Sequence, residues 1–323
     1  MIFKTINNIF YNNIYFIKLF LLFLIYMFSL NRIKTNNKNQ HLSYKGVALC
    51  VIAKNENLYI KEFITYYKTL GIKKIFLYDN NDIFGENFTD VISNEIKSKF
   101  VDLINVRGKP EYQIEAYNDC YQNNLYKFSW FLFVDVDEFL YTKKNISLED
   151  FLTDNKFKNC HNIHFNYKEF GDSDLLDYDG RFIKERFTKN FRYISAIKTI
   201  VKGGMKNAKM EIHKSLNVKN YCDSDGRKII SGDFFTDKIT VENAEIRHYI
   251  TKTIGEFYKR LIRGWPCVKN GSDNYYYFVN NRIEYFFTLN NITKIKFDKV
   301  YPLITDKKLL NKLLNKLKET NNI

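Results

Sequence analysis

The chain has 323 residues, 45% hydrophobic content and a formal net charge of +14. That is enough apolar material to bury a full core, in one large domain or two small ones, so the chain is read as globular. Its lysines are spread along the whole length, with no basic cluster interleaved with aromatics. A charge of this size would suit a nucleic-acid partner, but its scatter argues against one, and a positive cleft for a nucleotide diphosphate fits equally well.

Residues 14–30 form an apolar run broken only by Lys18. Its uninterrupted part, 19–30, is shorter than the ~20 residues of an ordinary bilayer span. Phe28-Ser29-Leu30-Asn31 makes a poor small-residue cleavage site, so an uncleaved single-pass anchor over 1–30 is favoured over a signal peptide. Arg32, Lys34, Lys38 and Lys45 follow the run, which by charge alone places the next domain in the cytosol. Sequons at Asn87, Asn145, Asn270 and Asn291 would instead suit a Golgi- or ER-type lumen, but an Asn-rich chain generates such triplets by chance. Orientation stays open. Residues 31–45 read as a polar linker, and 46–305 as the main domain.

Val47 to Ile52 is a continuous apolar run of strand length, as a strand covered on both faces requires. Ile60, Phe63, Ile64, Tyr67 and Leu70 then recur at helical spacing, with Gly71 as a stop. Ile75 to Tyr78 is the next strand and ends in Asp79. A helical stretch at 88–99, a strand at 100–106, a helix over 112–126 and a strand at 130–134 complete a β-α alternation. This predicts an α/β fold with a doubly wound, mostly parallel sheet, whose ligands bind beyond the carboxyl ends of the strands.

Asp-x-Asp occurs at 135, 172, 177 and 223, and only Asp135-Val136-Asp137 follows five consecutive apolar residues. There a buried strand delivers two carboxylates at its exposed end. Such a pair suits a hard divalent cation held together with the diphosphate of a sugar nucleotide. A solvated acidic turn is the plainer alternative. The cysteines at 50, 120, 160, 222 and 267 have no short paired spacing, so neither zinc nor a redox motif is indicated. Cys50 and Cys120 read as core residues, and Cys160 with Cys222 would pair only in a lumenal domain.

These residues resemble glycosyltransferases of the GT-A fold, and within it family 92 and family 2-like enzymes. The matching pieces are Val51 to Glu56 with the following helix, Gly71 with Tyr78-Asp79-Asn80, Gln113, and Trp130 with Asp135 to Phe139. Downstream they are Phe170 to Ser173, Lys198 to Val201, His213-Lys214, and the segment from Arg247-His248-Tyr249 through Lys252, Glu256, Phe257, Arg260 and Arg263 to Gly264.

The resemblance implies that Asn55, Glu56 and Asp79 line the base and ribose pocket. It further implies that Asp135 and Asp137 form the metal-diphosphate motif and that His248 is a third ligand for Mn²⁺, or Mg²⁺ in its place. Thr253 and Glu256 have the spacing of a capping box, so a helix starts there and Glu256 is a cap rather than a catalyst. Lys252 stands just ahead of that helix and, with Arg263, is a candidate diphosphate contact. Asp172 and Glu169 are the candidate bases for the acceptor hydroxyl, with Asp233 a further one. Tyr167, where similar enzymes carry Trp, and Asp172, where they carry Ser, both fall near the acceptor.

The aromatic stretches at 275–278 and 285–287 read as packing, and the leucines of 306–323 as an amphipathic helix lying on the domain. The leading reading is a metal-dependent, inverting glycosyltransferase. Its donor is a nucleotide sugar, UDP-linked, and its acceptor a glycan or glycoconjugate hydroxyl, with hexosyl transfer the expected activity. A nucleotidyltransferase would add a Gly-rich loop that Ala53-Lys54-Asn55 does not offer. A silent binding module of the same fold is the other alternative.

Overall fold

The computed structural model describes residues 46–264, apart from Asn190, Ser231 and Gly232, together with Tyr277, Val279, residues 281–283, Tyr285, Phe286, Leu289, Asn290, Asn311 and Asn315. The expected anchor and linker lie outside these residues, as do the C-terminal amphipathic helix apart from Asn311 and Asn315 and most of the first aromatic stretch. No helix among the described residues is long and apolar enough to cross a membrane.

Strand β1 (Val47–Ala53) is buried at every position. Leu49, Val51 and Ala53 enter one core, and Ala48, Cys50 and Ile52 another, because successive side chains leave a strand on opposite faces. Helices α1 (Ile60–Thr69) and α2 (Thr89–Lys97) cover the first face, and α3 (Gln113–Asn124) the second. The doubly wound α/β architecture is therefore observed as the hydrophobic pattern predicts. β2 (Lys74–Asp79), β3 (Val101–Asn105) and β4 (Trp130–Phe133) continue the sheet, with β4, β1, β2 and β3 adjacent and parallel.

The remaining strands depart from a purely parallel plan. β5 (Glu138–Thr142) follows β4 after a tight turn, then come α4 (Leu148–Leu152), β6 (Asn162–Phe170), α5 (Ile183–Arg186) and β7 (Phe191–Lys202). β7 inserts antiparallel between β4 and β6. The short strands β8 (Lys209–Met210) and β9 (Ser215–Leu216) pair with each other, while β10 (Tyr221–Asp223) and β11 (Lys228–Ile229) extend the main sheet. β12 (Ala244–His248) lies between β5 and β6, and α6 (Ile254–Arg263) leads away from it. The capping box expected at Thr253 and Glu256 is present, and Gly264 ends the helix at φ 75°.

The expected core cysteines are buried, but they are not free thiols. Cys50 of β1 is bonded to Cys120 of α3, which ties the sheet to its covering helix. Cys160 and Cys222 are also bonded. The sequence spacing could not show the first pair, because strand and helix meet only in the packed fold.

Two stability predictions follow from this packing. Gly203, beyond β7, donates its N–H to Ser129 O at 2.8 Å, and a Cβ there would collide with the carbonyl of Phe128 and stand 3.0 Å from that of Leu125. Both obstacles are backbone, so Gly203→Ala should lower unfolding free energy by at least ~1–3 kcal/mol in denaturant titration. His164 on β6 has both ring nitrogens buried without hydrogen-bond partners, and burial pushes its imidazole down to about 4. Between the ordinary value of 6.5 and about 4, the unfolded chain binds a proton that the folded chain refuses, so stability falls with falling pH. His164→Phe should flatten that fall by up to ~1.4 kcal/mol per pH unit, read as urea midpoints at two pH values across this window.

Candidate active site

The turn from β4 to β5 is closed by its own acids. Glu138 N donates to Asp135 O (3.0 Å), and Asp135 N donates to Glu138 Oε2 (2.9 Å). This reversal sends the two motif carboxylates to different partners. Asp135 Oδ1 accepts from Gln113 Nε2 (3.0 Å) and Tyr117 OH (3.2 Å), and its Oδ2 accepts from Lys198 Nζ (3.2 Å). Asp137 Oδ2 is ion-paired to Arg260 Nη1, with His248 Nε2 at 3.8 Å and Lys252 Nζ at 3.9 Å.

Each acid thus has its own cation. Burial alone would raise the Asp137 carboxyl, but Arg260 first, then Lys252, His248 and Arg263, hold it far below the usual carboxylate range. Asp135 is likewise lowered against its burial, chiefly by Lys198. Burial wins at Glu138, whose carboxyl is raised even though Lys198 Nζ lies 3.4 Å from its Oε2. Lys198 itself is completely buried, and Asp135 and Glu138 keep its ammonium above the ordinary range against desolvation.

Pairing of three strands sets a second row of groups. His248 of β12 stands opposite Glu138 of β5 and beside Glu169 of β6. Tyr167 OH donates to Glu138 Oε1 (2.8 Å) and lies 3.3 Å from His213 Nδ1. His248 Nδ1 is buried with no hydrogen-bond partner, and Glu169 Oε1 is 3.6 Å from it. Glu169 also accepts from Arg192 Nε (3.3 Å) and from the Tyr285 hydroxyl.

A cavity of about 310 Å³ opens over these groups at the carboxyl ends of β1 and β4. Its walls include Lys54, Glu56, Gln113, Asp135, Asp137, Glu138, His248, Arg260, Arg263 and Arg282. Glu56 is ion-paired to Arg263 Nη1 through Oε1, while its Oε2 is buried without a hydrogen-bond partner. Arg260 and Arg263 also border a neighbouring cavity of about 530 Å³ that takes in Asn55 and Lys252. Lys252 sits at φ 54°, and burial lowers its ammonium.

The structure therefore gathers Glu56, Asp135, Asp137, Glu169, His248, Lys252 and Arg263 into one region. Asp79 is not in either cavity wall. Its Oδ2 accepts from Arg107 Nε (2.8 Å) and its Oδ1 from Asn81 Nδ2 (2.7 Å), and Asn81 Oδ1 in turn accepts from Asn55 N (2.7 Å). Asp79 thus shapes the loop that carries Asn55, which has φ 52°. Asp172 is buried, bonded through its N–H to Asn290 Oδ1 (2.6 Å) and through Oδ1 to Asp174 N (2.9 Å), and lines neither cavity. Asp233 is exposed, 3.8 Å from Lys214.

Among the described residues, no three His, Cys, Asp or Glu side chains stand close enough to make a metal-binding group. Asp137 and His248 are brought together, and Asp135 is held by Gln113, Tyr117 and Lys198 instead. Sequence reasoning gave no role to Lys198 or Arg260. Their signals were present: a lone lysine in the apolar run Ile197 to Val201, and an arginine one helical turn from both Phe257 and Arg263.

The model of the family described as glycosyltransferase family 92 matches residues 45–289. A family 92 protein of Ricinus communis is 25% identical over 158 residues, 48% of this chain and 28% of the relative. One of Oryza sativa subsp. japonica is 24% identical over 116 residues, 36% of this chain and 20% of the relative. The matched stretch thus spans less than a third of either plant protein. Staphylococcus aureus TarS 1–349 in complex with UDP-GlcNAc superposes with a TM-score of 0.38 at 10% identity, covering 85% of this chain and 80% of that one. The same protein in complex with UDP gives 0.38 at 11% identity, covering 67% and 63%. With the family model matching well over half of its length, the chain belongs to glycosyltransferase family 92.

Proposed function

We propose that the chain transfers a sugar from a nucleotide-sugar donor, a UDP-hexose in the first instance, to a hydroxyl of a glycan or glycoconjugate. The observation that carries this reading is the cavity at the strand ends, where the unpartnered Glu56 Oε2 and the cations Arg260 and Arg263 share one wall. A buried carboxylate oxygen with no donor is matched by a ribose hydroxyl, and two guanidinium groups by a diphosphate.

Asp137 and His248 offer a carboxylate oxygen and an imidazole nitrogen 3.8 Å apart, a donor set that fits Mn²⁺, with Mg²⁺ the second choice. Such an ion supplies Lewis-acid charge at the diphosphate when bound. The chain's own groups do the rest. Arg260, Arg263 and Lys252 offset charge developing on the leaving diphosphate, in a site where burial strengthens each interaction. Glu169, held by Arg192 and Tyr285, is the base that takes the acceptor proton in an inverting displacement. Lys198 and Gln113 hold Asp135 in place, and Asp172 supports the loop after β6. The two disulfides fit a domain facing an oxidising compartment.

Two measurements test this reading. Wild-type protein should bind UDP and turn over a UDP-sugar in a Mn²⁺-dependent manner that EDTA abolishes. Asp137→Ala should lose at least ~100-fold in kcat/KM. No UDP binding by the wild type, or unchanged turnover in the variant, would sink the proposal. Separately, alkylation of the denatured, unreduced chain should leave Cys50, Cys120, Cys160 and Cys222 unmodified until a reductant is added, as read by mass spectrometry; labelling of these four without reductant would refute the oxidised pairing.

A further inference from the structure

The site above occupies one face of the β5–β12 pair, and the opposite face carries a cavity of its own. Antiparallel pairing sets His248 across from Glu138 and Arg247 across from Phe139. Alternation along a strand turns neighbouring side chains to opposite faces, so His248 and Glu138 line the transferase cavity while Arg247, Phe139 and Tyr141 line the other. That second cavity measures about 440 Å³, and Tyr66, Tyr249, Asn145 and Lys184 help to enclose it.

Its chemistry is distinctive. Two cations, Arg247 and Lys184, line it, with no Asp or Glu among the lining residues. The Arg247 guanidinium carbon lies 3.6 Å from the centroid of the Tyr141 ring, and its Nε donates to Glu245 Oε1 (3.1 Å). Neither Nη group bonds to a described residue. Glu245 is fully buried, and its other oxygen is taken by Lys143 Nζ (2.9 Å), so this one carboxylate is shared between two cations. An arginine stacked on a ring and held from behind by one carboxylate presents a fixed fork of donors.

We propose that this cavity binds an anionic saccharide, with a uronate carboxylate taken by the Nη groups of Arg247 and its charge supported by Lys184. A fixed guanidinium is matched by the two oxygens of a carboxylate. Tyrosine rings match the apolar face of a pyranose, and the Asn145 amide and Thr69 hydroxyl supply polar contacts for its hydroxyls. The volume falls within the ordinary range of small-ligand sites, roughly 300–1,000 Å³. The proposal does not rest on the identity of the sugar donor, since the two cavities lie on opposite faces of the same strands.

The test is calorimetric titration of the full chain with a hyaluronan tetrasaccharide and with the same tetrasaccharide after reduction of its carboxyl groups. Saturable binding of the acidic form is expected, weakened at least ~10-fold by carboxyl reduction or by Arg247→Met. Addition of UDP should leave it unchanged, because UDP is assigned to the other face. Thermal unfolding of Arg247→Met checks that it folds; if it does not, Lys184→Met, at an exposed position, carries the comparison and should weaken binding several-fold. No saturable binding, equal affinity for the reduced sugar, indifference to the folded variant, competition by UDP, or displacement by equimolar sodium sulfate would each overturn the assignment. Loss of UDP binding with retained saccharide binding would instead overturn only the donor reading.

Discussion

Burial of acids against a limited set of cations governs this structure. Asp135, Asp137, Glu138 and Glu169 converge where the carboxyl ends of β4 and β6 meet the amino end of β5, and desolvation penalises the ionised forms of the first three. Lys198, Arg260 and Lys252 answer that cost, and each comes from a different place in the chain: β7, α6 and the turn before α6. The position of β7 between β4 and β6 brings Lys198 to its acids, and the capping box at Thr253 sets the start of the helix that aims Arg260 and Arg263. Removing any of these elements would leave an unpaired charge inside the protein.

The same constraint explains why two adjacent motif carboxylates have different surroundings. The turn from β4 to β5 is stabilised by Glu138 folding back onto Asp135 N, and a reversal this tight separates residues that a continued strand would leave on one side. Asp135 joins a half-buried network with Gln113, Tyr117 and Lys198. Asp137 faces His248, Arg260 and Lys252. Both carboxylates line the same cavity, each with its own set of partners.

Much of the first half was legible from residue order. The unbroken apolar run of β1 required cover on both faces, and α1 was readable from the spacing of Ile60, Phe63, Ile64 and Tyr67. The cap at Thr253 and the stop at Gly264 were local signals and appear where local chemistry places them. Asp79 was a natural candidate for ligand contact because it ends a strand, yet Arg107 and Asn81 engage it. Nothing within a few residues of Asp79 announces Arg107, which arrives through the pairing of β2 with β3. Asp172 is comparable: it was a candidate base, but the fold buries it against Asn290.

By itself, the sequence determined the α/β alternation, the strand that delivers Asp135-Val136-Asp137, and the helix that begins at Thr253, because hydrophobic periodicity and capping act over a few residues. Only the tertiary structure decided which cation neutralises which acid, that Glu138, His248 and Glu169 form one row, that Cys50 bonds to Cys120, and that Arg247 looks into a separate cavity behind the active site. Those facts depend on strand register and on helix-to-sheet packing. Both are set by contacts between segments tens to hundreds of residues apart, for which a single chain read in order contains no distance.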